Sequence, residues 1–171
     1  MFPLLPKQPS SPLQSCGLRE TAPDNDGLFS GQLIPPDQSA VLLYTSWIAL
    51  ISAIYAMSRG HFDLCWVPWG VLLTSLNYWR RPRRDWRRVL DIAFVQVGLC
   101  WQLWRSVGAE NCHAYWALTG AGIAIYFLGL FYEHRVRQLW PSTLLHGLLH
   151  VVGNVANIVL YSGTVPPLPR F

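Results

Sequence analysis

This chain of 171 residues is 51% hydrophobic and only 13% charged, whereas soluble domains carry about 25% charged residues. Its formal net charge is +4, and it contains nine Trp, a residue type that favours bilayer interfaces. This composition argues against a soluble protein and indicates an integral membrane protein.

The first 39 residues differ in kind from the rest of the chain. They are rich in Pro, Ser and Gln and show no helical or strand periodicity. Such a segment cannot bury enough apolar surface to offset the entropy of ordering it. It also lacks the apolar core of a signal peptide and the basic composition of a transit peptide. We therefore expect residues 1–39 to form a disordered cytosolic tail, with residues 163–171 as a shorter second tail.

Five apolar segments between these tails have the length of membrane-spanning helices, for which roughly 20 residues are needed. They run over residues 41–58, 62–79, 89–107, 112–132 and 141–161. The sequence thus predicts an all-α fold, a bundle of about five transmembrane helices within residues 40–162. Cys65 and Cys112 fall near the same predicted side of the membrane, and whether they pair is left open.

The connection between the second and third spans is rich in arginine. It contains Arg80, Arg81, Arg83, Arg84, Arg87 and Arg88. Positively charged connections stay in the cytosol, so this loop and the N-terminus are predicted to be cytosolic and the C-terminus to lie on the other side. We expect a multi-pass protein of an internal membrane such as the endoplasmic reticulum.

The same loop suggests a partner. Arginines beside a membrane surface attract anionic lipids by about 1 kcal/mol each. Trp79 and Trp86 flank the loop and are expected to lie at the level of the lipid headgroups. The alternative is that these charges only orient the chain. Nucleic-acid binding is disfavoured, because the loop is short and lies against the membrane.

Polar residues within the apolar spans mark a candidate site, because such residues are expensive in hydrocarbon. Given this topology, Ser75, Asp91 and His146 all fall within roughly 5–8 Å of the cytosolic boundary. His150 lies one turn deeper on the same helix face as His146, where both imidazoles could bind one metal ion. Antiparallel neighbouring helices would bring these four side chains together.

Each of these residues also has a purely structural interpretation. The histidine pair could be satisfied by neighbouring helices, with Asn154 and Asn157 extending the same polar stripe. Asp91 could form an ion pair with Arg87 or Arg88. Hydroxyl groups such as that of Ser75 are common where membrane helices touch.

The order of a serine, an aspartate at the start of the next span, and His-x3-His in the last span resembles the CREST superfamily of membrane hydrolases. The resemblance implies zinc-dependent amide or ester hydrolysis of a lipid. In that scheme His146 and His150 bind zinc, Asp91 handles protons or orients water, and Ser75 steadies an oxyanion. Asp91 is also the expected third zinc ligand, because Trp79 cannot serve. The position of the family's third histidine is occupied by Trp79.

Three strings resemble a group of uncharacterised membrane proteins from protists and large DNA viruses. They are Ser-Leu-Asn-Tyr-Trp-Arg at 75–80, Trp-Arg-Arg-Val-Leu-Asp at 86–91 and Asn-Val-Ala-Asn-Ile-Val-Leu-Tyr-Ser-Gly at 154–163. This resemblance implies a membrane location and no particular activity. Two functions therefore stay open: a zinc-dependent lipid amidase or esterase, or a non-catalytic membrane protein whose arginine loop engages anionic lipids or a partner.

Overall fold

A computed structural model describes residues 33–168, and every regular element within that range is helical. The helices are α1 (Pro36–Ser46), α2 (Ile48–Ser58), α3 (Phe62–Trp79), α4 (Trp86–Ser106), α5 (Cys112–Phe131) and α6 (Leu139–Ser162), with a π-helical turn at Tyr132–Val136. The predicted all-α fold is confirmed for this part of the chain. Most of the predicted N-terminal tail, and residues 169–171 of the C-terminal one, lie outside the described residues.

Helices α1 and α2 are separated only by Trp47 and form one apolar segment, Pro36–Ser58. The segment begins at a proline, which suits the first helical position because the backbone N–H there has no partner within the helix. The helix therefore starts inside the predicted tail of residues 1–39, and its first turns bury Gln38 and Ser39.

Helix α4 begins at Trp86 because Asp85 caps it. The carboxylate of Asp85 accepts a hydrogen bond from the backbone N–H of Arg87 at 3.1 Å and pairs with the Arg87 guanidinium at 2.6 Å. The hydrogen bond from the Arg87 side chain lowers the pKa of the Asp85 carboxyl, so the cap stays ionised in mildly acidic solution.

Three helical segments among the described residues are long and apolar enough to cross a membrane. They are Pro36–Ser58, Cys112–Val136 and Leu139–Ser162. Helix α4 is not among them, and its charged residues, such as Asp91 and Arg105, lower its hydropathy. The chain is thus compatible with a membrane protein on the basis of three helices.

The polarity of α4 is the reverse of that of a helix on a soluble protein. Its buried side includes Asp91, Gln102 and Arg105, whereas Val89 and Val97 are 67% and 61% exposed. A helix on a water-soluble protein places its apolar face inward. The outer face of α4 is therefore suited to an apolar environment.

Helices α3 and α6 each pack on three other helices. Helix α6 packs on α1, α2 and α5, whereas α3 packs on α1, α2 and α4. Helices α4 and α5 touch each other only sparsely, near the short connection between them, where Trp116 Nε1 donates to Ser106 Oγ at 2.7 Å. A space is therefore left between α4 and α5 towards their other ends.

Two side-chain expectations can be compared with the structure. Trp79, expected at headgroup level, is only 9% exposed and its ring lies inside the bundle, because it follows Ser75 by one turn on the inward face of α3. Trp86 is 67% exposed and available to an interface. Cys65 and Cys112 are free thiols in this structure.

Candidate functional site

Helices α3, α4, α5 and α6 surround a cavity of about 340 Å³. This volume lies within the range of about 300–1,000 Å³ typical of ligand pockets. The four polar residues singled out in the sequence, Ser75, Asp91, His146 and His150, all line it. The six loop arginines do not line this cavity, and Arg80, Arg81, Arg84 and Arg88 are exposed to the exterior.

Asp91 is held by helix α3. Its Oδ1 accepts hydrogen bonds from Thr74 Oγ1 and Ser75 Oγ, both at 2.8 Å, and the residue is 9% exposed. Adjacent Thr and Ser therefore direct two hydroxyl donors at one carboxylate oxygen. This pair of bonds fixes the start of α4 against the end of α3.

The ion pair with Arg87 or Arg88 that is the structural alternative for Asp91 is not formed in the described part of the chain. Arg87 instead pairs with Asp85, only two residues away and at the open end of the helix, where both groups keep some solvent contact. Arg88 is exposed. A buried ion pair is formed instead by Arg105, which lies within α4 rather than in a connection and contacts Asp63.

His150 is oriented by helix α1. Its Nδ1 lies 2.9 Å from Thr45 Oγ1, and that hydroxyl also donates to the carbonyl of Leu42 at 3.2 Å. A hydroxyl has one proton to donate, so the arrangement fits a neutral imidazole that donates from Nδ1 to Thr45. In this tautomer the lone pair of His150 Nε2 remains for a ligand in the cavity.

His146 lies between two rings. Its centroid is 5.1 Å from that of Trp79 and 5.0 Å from that of His150, and both contacts are edge-to-face. Trp79, which stands where the CREST pattern has a histidine, thus packs directly on His146.

The arrangement of donors bears on zinc. No group of three or more His, Cys, Asp or Glu side chains in residues 33–168 is close enough together to hold one metal ion. Zinc in a catalytic site usually has three protein ligands. His146, His150 and Asp91 therefore do not form a three-ligand centre as arranged here, since Asp91 is turned towards Thr74 and Ser75.

The predicted polar stripe on α6 continues from the histidines into Asn154, and most of its partners could not be read from the sequence. Ser52 Oγ donates to Asn154 Oδ1 at 2.5 Å, and Asn154 Nδ2 donates to the carbonyl of His150 at 2.7 Å. Nearer the end of α6, the side chain of Gln102 on α4 donates a hydrogen bond to the hydroxyl of Tyr161. The only signal for these partners is the presence of single polar residues in apolar spans.

The remaining cavity wall is apolar and partly open to the outside. Ile92 and Val95 of α4 and Ile123 and Tyr126 of α5 line it, and each is 40–42% exposed. These two pairs stand on either side of the space between α4 and α5. The cavity therefore opens sideways through a slot between two helices, which we call the α4–α5 slot.

No protein-family model, curated protein or solved structure matches this chain. The resemblances to CREST hydrolases and to the protist and viral group therefore stay predictions.

Proposed function

We propose that this protein is a five-span membrane protein that binds one lipid in the cavity surrounded by α3, α4, α5 and α6. The observation that carries the proposal is the α4–α5 slot, through which an apolar cavity opens on the side of the bundle. In a bilayer that opening faces lipid chains directly. A lipid can therefore enter sideways without crossing water.

Two features support five spans rather than three. Helix α3 has 18 residues and α4 has 21, close to the roughly 20 required to span a bilayer. The reversed polarity of α4 matches a helix that is solvated by lipid and keeps its polar groups inside. In this arrangement the arginine loop is cytosolic and its exposed guanidinium groups attract anionic lipids of the adjoining leaflet.

The chemistry of the cavity suits an amphiphile. Its slot side is built from aliphatic and aromatic side chains, whereas Asp91, His146, His150 and Asn154 form polar points on its inner wall. Apolar lining with a few convergent polar groups is the usual character of a small-molecule site. The chains of a lipid fit the slot, and the polar groups orient the ligand.

Filling the cavity tests this function. A Cβ atom added at Gly153 would meet nothing within 4 Å, and Gly153 lines the cavity, so a phenylalanine there extends into the space without a clash on the backbone. We expect Gly153→Phe to reduce the lipid retained by the detergent-purified protein at least about tenfold, a change of about 1.4 kcal/mol in binding. Native mass spectrometry and lipid extraction measure it.

Gly120→Phe is the matched control for Gly153→Phe. Gly120 also has open space around an added Cβ, is in the middle of a helix and is exposed on α5 away from the cavity. The control should retain lipid like the unmodified chain. Equal retention in Gly153→Phe and the unmodified chain would overturn the proposal, as would purification of the unmodified chain without lipid from several detergents.

The zinc-dependent lipid hydrolase is a second candidate. It is favoured by one observation, that Ser75, Asp91, His146 and His150 line the same cavity. It requires Asp91 to leave its two hydroxyl partners, or another donor to complete the metal site. Lipid binding requires neither a new position for Asp91 nor a further donor.

Zinc content separates the two candidates. For a lipid-binding protein we expect far less than one zinc atom per chain after purification without chelator, because three donors do not converge on one point. Elemental analysis by mass spectrometry measures this ratio. One zinc per chain that is lost in both His146→Ala and His150→Ala would instead favour the hydrolase.

A further inference from the structure

The face of α4 that borders the slot ends in an arginine. Arg88, Val95, Leu99 and Ser106 recur at intervals of seven, four and seven residues and so lie in one line along the helix. Ser106 marks the closed end of the slot, where Trp116 contacts it. Arg88 lies at the other end, about 27 Å away for 18 residues at 1.5 Å each.

The α5 side of the slot follows the same order. Trp116 is at the closed end, and Thr119, Ile123 and Tyr126 follow along the cavity wall towards the arginine end. The slot is therefore a long apolar channel with one closed end and one end at the arginine loop. A chain inserted in it has its terminal methyl group near the closed end and its head near Arg88.

The side chain of Arg88 is available to a ligand at that end. It is exposed, and none of the ion pairs or side-chain hydrogen bonds described for residues 33–168 involves it. Arg87, by contrast, is engaged by Asp85 and by the carbonyl of Arg81. Arg88 is therefore an exposed guanidinium at the arginine end of the slot, with no ion pair described in residues 33–168.

On the basis of the proposed lipid-binding function, we propose that the ligand is a glycerophospholipid, with an acyl chain in the α4–α5 slot and its phosphate on Arg88. A guanidinium presents paired N–H donors that match the oxygens of a phosphate. At the closed end the line on α4 ends in Ser106, and the guanidinium of the neighbouring Arg105 is already paired with Asp63. Lipids without a phosphate, such as diacylglycerol, fill the slot but lack the contact with Arg88.

Paired lipids test the inference on the full chain in an uncharged detergent. Dipalmitoylphosphatidylcholine and dipalmitoylglycerol share their chains and differ in the phosphate headgroup. We expect native mass spectrometry titrations to show about tenfold tighter binding of the phospholipid, and Arg88→Gln to remove most of that preference. Tenfold corresponds to about 1.4 kcal/mol, close to the lower end of the about 1.5–3 kcal/mol that a hydrogen bond to a charged group contributes.

Arg135→Gln is the control for Arg88→Gln, since Arg135 is also exposed, follows α5 and carries the same charge. It should keep the preference. Loss of the preference in Arg135→Gln would show that total charge, rather than Arg88, selects the phospholipid, and would overturn the assignment. Soluble glycerol 3-phosphate should not displace the bound lipid, and displacement would mean that phosphate alone is recognised.

The two proposals fail in different ways. If the unmodified chain binds both lipids equally, the phosphate contact is wrong and the lipid-binding cavity stands. If it binds neither lipid, the proposed function itself fails.

Discussion

Replacing Arg105 by methionine should lower the free energy of unfolding by about 2–3 kcal/mol. Arg105 is 7% exposed, its Nε contacts Asp63 Oδ2 at 2.5 Å, and its Nη1 donates to the carbonyl of Pro166 at 2.8 Å. Removing one partner of a fully buried ion pair costs about 3–5 kcal/mol, because the other charge stays buried without compensation. The expected loss is smaller here because the Asp63 side chain is 24% exposed.

Arg105 joins three parts of the chain, so its loss should also affect the cavity. It links the beginning of α3, the end of α4 and the segment after α6, and Trp101 adds a hydrogen bond to the Asp63 carbonyl at 2.8 Å. Without these links, the closed end of the α4–α5 slot should loosen. Denaturant unfolding in mixed micelles gives the stability, and the lipid titration gives the effect on binding.

Arg88→Met provides the comparison for Arg105→Met on the same helix. It removes the same charge from an exposed side chain and should change the stability by less than about 0.5 kcal/mol. The double variant Asp63→Asn with Arg105→Met should recover part of the loss, because no unpaired carboxylate remains. Losses that simply add in the double variant would show that Asp63 and Arg105 do not interact.

The helices themselves were largely predictable, because each is an apolar run of the right length. The second predicted span, residues 62–79, has the same bounds as α3. The third was placed at residues 89–107, whereas α4 covers Trp86–Ser106. The difference arises at its start, where Asp85 caps a helix that begins with charged residues, and hydropathy does not detect capping.

The members of the site were predictable but their partners were not. Helical spacing places His146 and His150 on one face, and the topology places Ser75 near Asp91. The roles of Thr45 and Thr74 could not be foreseen, because a hydroxyl in a helix bonds equally well to its own preceding turn. The Thr74 hydroxyl lies within reach of both acceptors, 3.2 Å from the carbonyl of Val71 and 2.8 Å from Asp91 Oδ1, and the shorter distance favours Asp91.

The α4–α5 slot was beyond sequence reasoning for another reason. Periodicity indicates which face of a helix is polar, but not which neighbouring helices that face meets or how closely they approach.

The close approach of α3 and α4 depends on two glycines. At Gly70 an added Cβ would lie 1.9 Å from the ring of Phe94, and at Gly98 it would lie 2.6 Å from Val67 Cγ1. The two helices therefore stay together along their length, while α4 and α5 diverge.

Gly98→Leu should consequently lower the stability by about 3 kcal/mol, at the upper end of the about 1–3 kcal/mol typical of overpacking. Val67 is 3% exposed and β-branched, so it has little freedom to move away from a new side chain. Helix α4 must then shift away from α3, which should weaken the contact of Asp91 with Ser75 and narrow the slot. We expect both unfolding in micelles and retained lipid to report the change.

A compensating pair makes the Gly98 test specific. Val67→Ala opens space opposite Gly98, so Gly98→Ala should be tolerated in that background and poorly tolerated alone. Gly120→Leu, which meets nothing within 4 Å at its Cβ, should leave stability and lipid retention near those of the unmodified chain. If Gly98→Leu is as stable as Gly120→Leu, then α4 does not rest on α3 at this point. The slot would then lose the wall on which both lipid proposals depend.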